Sequence, residues 1–115
     1  MKHFSCVFAL TLVLGCASDP APTEQLRLTE QALIQARSAG ATEQTPKLVQ
    51  AERHFAAAIA AMKDEGYRDA RRLAEKAELD ARLAEASVLN DKSQQELDEL
   101  NRRIARLREQ LGDVQ

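Results

Sequence analysis

The sequence predicts an all-α protein: a small antiparallel bundle of three helices, with a tetratricopeptide-like hairpin and a long C-terminal helix of coiled-coil character. Apolar residues recur at three- and four-residue steps through most of the chain after Thr23. The prolines and glycines after that point fall at Gly40, Pro46, Gly66 and Gly112, where they divide the pattern into three helical runs. Aromatic residues make up only 3% of the 115 residues and Trp is absent, so any core must be thin and built from Ala, Leu and Val.

Residues 1–15 form the first element. Met1-Lys2-His3 is a short basic start, and Phe4 to Leu14 is an apolar stretch of about eleven residues, the length of a signal-peptide core and too short to span a bilayer. Val13-Leu14-Gly15-Cys16 then resembles the lipobox of bacterial lipoproteins, although Leu14 stands where a small residue is more usual. The resemblance implies cleavage before Cys16, acylation of its thiol, and a membrane partner held through that lipid. Otherwise Cys16 is a small residue near an ordinary signal cleavage site. Ala17 and Ser18 follow the cysteine where an Asp would favour retention at the inner membrane, so the expected location is the periplasmic face of the outer membrane.

Residues 16–22 read as a lipid-anchored linker, because Pro20 and Pro22 remove backbone donors and push their predecessors toward extended geometry. The helical domain is expected over 23–92. Its first helix runs from Thr23, read as an N-cap, to Ala39, with Leu26, Leu33 and Ala36 on one stripe and Gly40 as a left-handed stop. Thr45-Pro46 reads as a cap followed by proline at the first helical position. In this second helix Leu48, Ala51, Phe55, Ala58 and Met62 step by three and four, Ile59 widens the stripe, and Gly66 closes it.

The third helix starts near Tyr67 and has no interior Gly or Pro as far as Leu111. Ala70, Ala74, Ala77, Ala81 and Ala84 give its first half a small-residue face on which the first two helices can pack closely. The remainder, 93–115, is a coiled-coil-like extension. Leu97, Leu100, Ile104, Leu107 and Leu111 repeat at three and four, and the register runs back through Ser93, Asn90, Ala86 and Leu83. Asn90 is either a solvated residue or a polar seam position that fixes register. Whether the helix stays continuous past Asn90 is left open.

Gln35-Ala36-Arg37-Ser38-Ala39-Gly40-Ala41, Pro46-Lys47-Leu48-Val49-Gln50-Ala51-Glu52, and Gly66-Tyr67-Arg68-Asp69-Ala70 leading into residues 73–84 resemble, in order and spacing, the bacterial family called domain of unknown function 4398. The resemblance spans about residues 26 to 92 and brings no defined activity. It implies a helical segment that can follow a lipoprotein signal and sometimes precedes a peptidoglycan-binding domain. The Gly66-Tyr67-x-x-Ala70 turn is also similar to the inter-helix turn of a tetratricopeptide repeat, which makes Tyr67 a hairpin wedge rather than a ligand-stacking ring.

Net charge is -2 and charged residues are 30% with mixed signs, so no nucleic-acid partner is expected. His54 reads as a helix-surface histidine, and no metal site, cofactor or catalytic residue is expected; the chain is read as not an enzyme. Arg102, Arg103, Arg106 and Arg108 could meet an anionic surface, but Asp98 with Arg102 and Glu99 with Arg103 are i,i+4 pairs and late cations suit the helix dipole. The expected role is a non-enzymatic scaffold or adaptor whose contacts are made by Leu97, Leu100, Ile104, Leu107 and Leu111, with itself or another envelope helical protein as partner. The alternative is non-covalent peptidoglycan or cell-wall binding through the Arg-rich end. Covalent wall attachment is not expected, since that resemblance requires a C-terminal lysine and the sequence reads Asp113-Val114-Gln115.

Overall fold

The computed structural model describes residues 19–112. Three α-helices account for nearly all of them: α1 (Thr23–Ala39), α2 (Pro46–Lys63) and α3 (Tyr67–Gly112), with no strand among the described residues. The expected signal segment 1–15, the expected lipidation site Cys16 and the residues after Gly112 lie outside the described residues.

Each helix boundary has a local cause. Thr23 is the first residue of α1 rather than its cap: Leu26 N–H donates to the Pro22 carbonyl at 3.0 Å, so helical bonding begins one residue earlier, and no side chain caps that end. Gly40 ends α1 with φ 114°, in the left-handed region. Its N–H donates to Arg37 and the Ala41 N–H to Ala36, the paired bonds of a Schellman motif. A Cβ at Gly40 would also lie 3.2 Å from Lys92 Nζ, a crowding that the end of a lysine side chain can relieve, so it is the positive φ that requires glycine.

Pro46 opens α2 as the sequence predicts, with Thr45 at the cap position, but Thr45 Oγ1 accepts from the Thr42 N–H (3.1 Å) instead of capping the helix. The end of α2 differs from the expectation. Glu65, not Gly66, takes the left-handed conformation (φ 58°), and its N–H donates to Met62. Gly66 follows as the second half of the same Schellman pattern, donating to the Ala61 carbonyl at 2.9 Å, and its own carbonyl accepts from Ala70 as α3 begins. The tight reversal makes α2 and α3 an antiparallel hairpin, with Tyr67 half-buried at its start.

The spine of the bundle is α3. Ala70, Ala74, Ala77, Ala81 and Ala84 are all fully buried, and both α1 and α2 pack on it while touching each other least. Small side chains allow this, because they let two helix backbones approach one face together. Opposite them α1 contributes Ala32, Leu33 and Ala36, and α2 contributes Leu48 and Ala51; Phe55 and Val88 close the cluster while half-buried. Leu26 and Met62 are likewise half-buried, and Ile59 is exposed. Thr29 is the one buried polar residue among the described residues, its hydroxyl lying 2.8 Å from the Gln25 carbonyl and 3.0 Å from that of Ala74, so it ties α1 to α3 without an orphaned polar atom.

Both ends of α1 are fixed to α3. The Arg71 guanidinium donates to the Pro20 carbonyl at 3.3 Å, and Lys92 Nζ donates to the Ala39 carbonyl at the negative end of the α1 dipole. The helices therefore run up, down and up, with α1 parallel to α3, and residues 19–22 lie beside the start of α3. Beyond Lys92, α3 continues unbroken through Asn90 and Ser93 to Gly112, which puts its tip roughly 60 Å from Arg71 at 1.5 Å per residue.

Candidate functional site

Two apolar faces run along α3 at the same three-four spacing, and they point in roughly opposite directions because they occupy different positions of one heptad. The alanine face continues to Val88 and then turns polar at Asp91, Gln95, Asp98 and Arg102, where the bundle stops. The leucine face begins beside the bundle. Leu79 and Leu83 are 69% and 50% exposed, and the register passes through Ala86, Asn90 and Ser93 into Leu97, Leu100, Ile104, Leu107 and Leu111.

All five C-terminal members are exposed, between 46% and 70%, and nothing else in the described residues covers them. In a helix that pairs with nothing such positions should be polar, since five leucine-type side chains held in water forgo roughly 1.5–3 kcal/mol each relative to burial. Asn90 is also exposed. The same register extends back to the exposed Leu79, one step before the Leu83 at which the sequence reading begins it.

The basic end of α3 is partly neutralised. Glu99 receives Arg103 (3.0 Å), Arg102 (3.2 Å) and, at 3.5 Å, Arg106. Its carboxyl is held below the usual carboxylate range, first by the hydrogen bond from Arg103 and then by that from Arg102. The expected Asp98–Arg102 pair does not form, because Arg102 turns to Glu99 at i,i-3. Lys92, Gln95, Glu96, Glu99, Leu100 and Arg103 line a shallow groove of mixed charge along one flank of the seam.

A second cluster was not visible in the sequence. His54 lies at the surface of α2 but half-buried, and its Nδ1 sits 3.0 Å from Asp80 Oδ2 on α3, while Lys47 Nζ reaches Asp80 Oδ1 at 3.2 Å. An ionised carboxylate only accepts, so the contact places the imidazole proton on Nδ1. Lys47 and His54 stand seven residues apart on one face of α2; that spacing was legible, but only the hairpin supplies Asp80 between them. Gln50, Arg53 and Lys76 complete the walls of this open polar groove. Among the described residues no group of three or more His, Cys, Asp or Glu could hold a metal ion. No helix among them is long and apolar enough to cross a membrane.

Residues 24–100 match the family described as Domain of unknown function (DUF4398). A solved structure similar to this one is a DUF4398 family protein from Pseudomonas aeruginosa PAO1, 55% identical, with a TM-score of 0.81 over 84% of this chain and 100% of that one. No curated protein matches the chain.

Proposed function

The chain belongs to the DUF4398 family, and from that premise we propose that it is a lipid-anchored envelope protein acting as a non-enzymatic scaffold or adaptor through helix-helix contacts. The observation that carries the proposal is the exposed leucine seam on a helix that runs far beyond its own bundle. The alanine face stabilises the fold, and the leucine face is left for another molecule. Fixing α3 at Arg71 and Lys92 gives the projecting half a defined direction, which an adaptor requires and a flexible tail would not provide.

In this reading the first fifteen residues are a signal peptide and Cys16 carries the lipid at the periplasmic face of the outer membrane. The tether then enters beside the start of α3, so the seam is held up to roughly 60 Å from the anchor. Exchanging Cys16 for alanine is expected to abolish labelling by a fatty-acid probe and to block processing. A chain that is processed normally and never labelled would refute the anchor. Crosslinking in intact cells from the seam, followed by identification of the adduct, tests the adaptor role; absence of any adduct at Leu97, Leu100 and Leu107 would refute it.

A second reading, a non-covalent cell-wall binding module, draws support from the polar groove lined by Lys47, Arg53 and Lys76, whose cations suit the carboxylates of a wall polymer. At the Arg-rich end Glu99 already engages three of the four guanidiniums, which weakens that surface for the same task. Co-sedimentation with purified peptidoglycan separates the two readings.

A further inference from the structure

We infer that the leucine seam is covered by a second copy of this chain, parallel and in register, an inference that rests on the adaptor reading above and names its partner. The first argument is extent. The seam runs from Leu79 to Leu111, and where it passes the bundle Leu79 and Leu83 are 69% and 50% exposed, so neither α1 nor α2 covers that face and it is open to a second α3. Its seven leucine and isoleucine side chains expose on the order of 700 Å² per copy, near the roughly 800 Å² that each partner of a specific interface buries.

The second argument is Asn90, the one amide in a register otherwise made of apolar residues and Ser93. In a parallel, in-register pair it meets Asn90 of the second copy, and the two amides can satisfy each other. An antiparallel pair that covers the whole seam would set Leu79 against Leu111 and Asn90 against Leu100, burying an amide with no partner. An antiparallel pair centred on the C-terminal half would leave Leu79 and Leu83 in water. Register and direction are thus fixed by one residue together with the length of the seam.

Flanking charges offer two opposing contacts, the first between Glu75 and Asp80 of the second copy, where Asp80 is already held by Lys47 and His54 of its own chain. Parallel pairing also places Arg103 near Arg108 of the second copy, but Arg103 is already paired with Glu99 on its own helix, and both positions remain exposed and screened by salt. Glu96 faces the neutral Asn101. The tethers favour the same arrangement: residues 19–22 lie beside the start of α3, so parallel copies enter from one end, as two chains rooted in one membrane must.

The test uses the full chain in cells. Leu111→Cys, oxidised mildly, is expected to give a disulfide-linked species of twice the chain mass, in several-fold excess over Asp98→Cys on the far side of α3 and over the parent chain. A photocrosslinking residue in place of Leu100 should yield an adduct with the same chain. If Leu111→Cys crosslinks no better than Asp98→Cys, the in-register pair is wrong. An adduct of the Leu100 variant with a different protein overturns the second copy but leaves the adaptor reading standing; no adduct at all overturns both.

Discussion

Changing Ala81 to leucine separates two accounts of the alanine face by sign. Ala81 is fully buried in the cluster with Leu33, Leu48 and Ala51, so the three added carbons have to displace packed neighbours. Were there room, their burial would stabilise the fold by about 0.8 kcal/mol per carbon, roughly 2.4 kcal/mol in all. In a closely packed interface overpacking costs about 1–3 kcal/mol instead, and three carbons place this variant toward the upper end. For a domain of this size each kcal/mol moves the melting temperature by roughly 4–8 °C, so a fall on the order of 10–20 °C is expected by circular dichroism. Leu100→Ala touches none of the buried cluster, so in dilute protein, where chains are unpaired, it should change it little. A melting temperature for Ala81→Leu that is unchanged or higher would refute close packing along α3.

Two further outcomes follow from the bundle. Leu48→Ala empties the largest fully buried side-chain site and should cost about 2–5 kcal/mol; a cost below about 1 kcal/mol in chemical denaturation would mean that α2 is not anchored there. The Glu78 carboxyl is held below its ordinary range, chiefly by the Gln25 amide at 2.7 Å and then by Arg82, with desolvation acting the other way. Because the folded value is depressed, this stabilisation is present above the unfolded carboxylate value and lost as pH falls through the folded one. The stability gap between the parent and Gln25→Ala should therefore hold at neutral pH and close in acid; a gap that does not vary with pH would contradict it.

Much of this architecture was legible because helix periodicity and punctuation are local. Pro46, Gly40 and the five buried alanines of α3 each act through their own backbone or their own turn, and a sequence carries that information directly. The errors occurred where a partner decides. Thr23 and Thr45 are good capping residues, yet Thr23 lies inside its helix and Thr45 bonds to Thr42 within the loop. Glu65 rather than Gly66 is left-handed, since the Schellman pattern counts from the last helical carbonyls and not from the nearest glycine.

The polar cluster shows the same limit more sharply. His54 was read as a surface histidine because no second ligand type stood within helical reach, and Asp80 is a helix and a turn away in the chain. Leu79 was overlooked as a seam member for a related reason: it lies among alanines whose face dominates that stretch, and only once that face is seen to be buried does Leu79 stand out on the other side. A helix with two apolar faces looks apolar all round in sequence, whereas packing shows which face is already occupied.

The central claim is that one face of α3 makes the fold while the other makes the contact. The most direct measurement compares the full chain carrying Leu111→Cys with and without Leu100→Asp and Leu107→Asp, followed in parallel for melting temperature and for the disulfide-linked species in cells. Both side chains are more than half exposed, so the melting temperature of the bundle should stay within the scatter of the parent while the crosslinked species disappears. Retention of that species, or collapse of the bundle, would contradict the division of α3 into a structural face and a binding face.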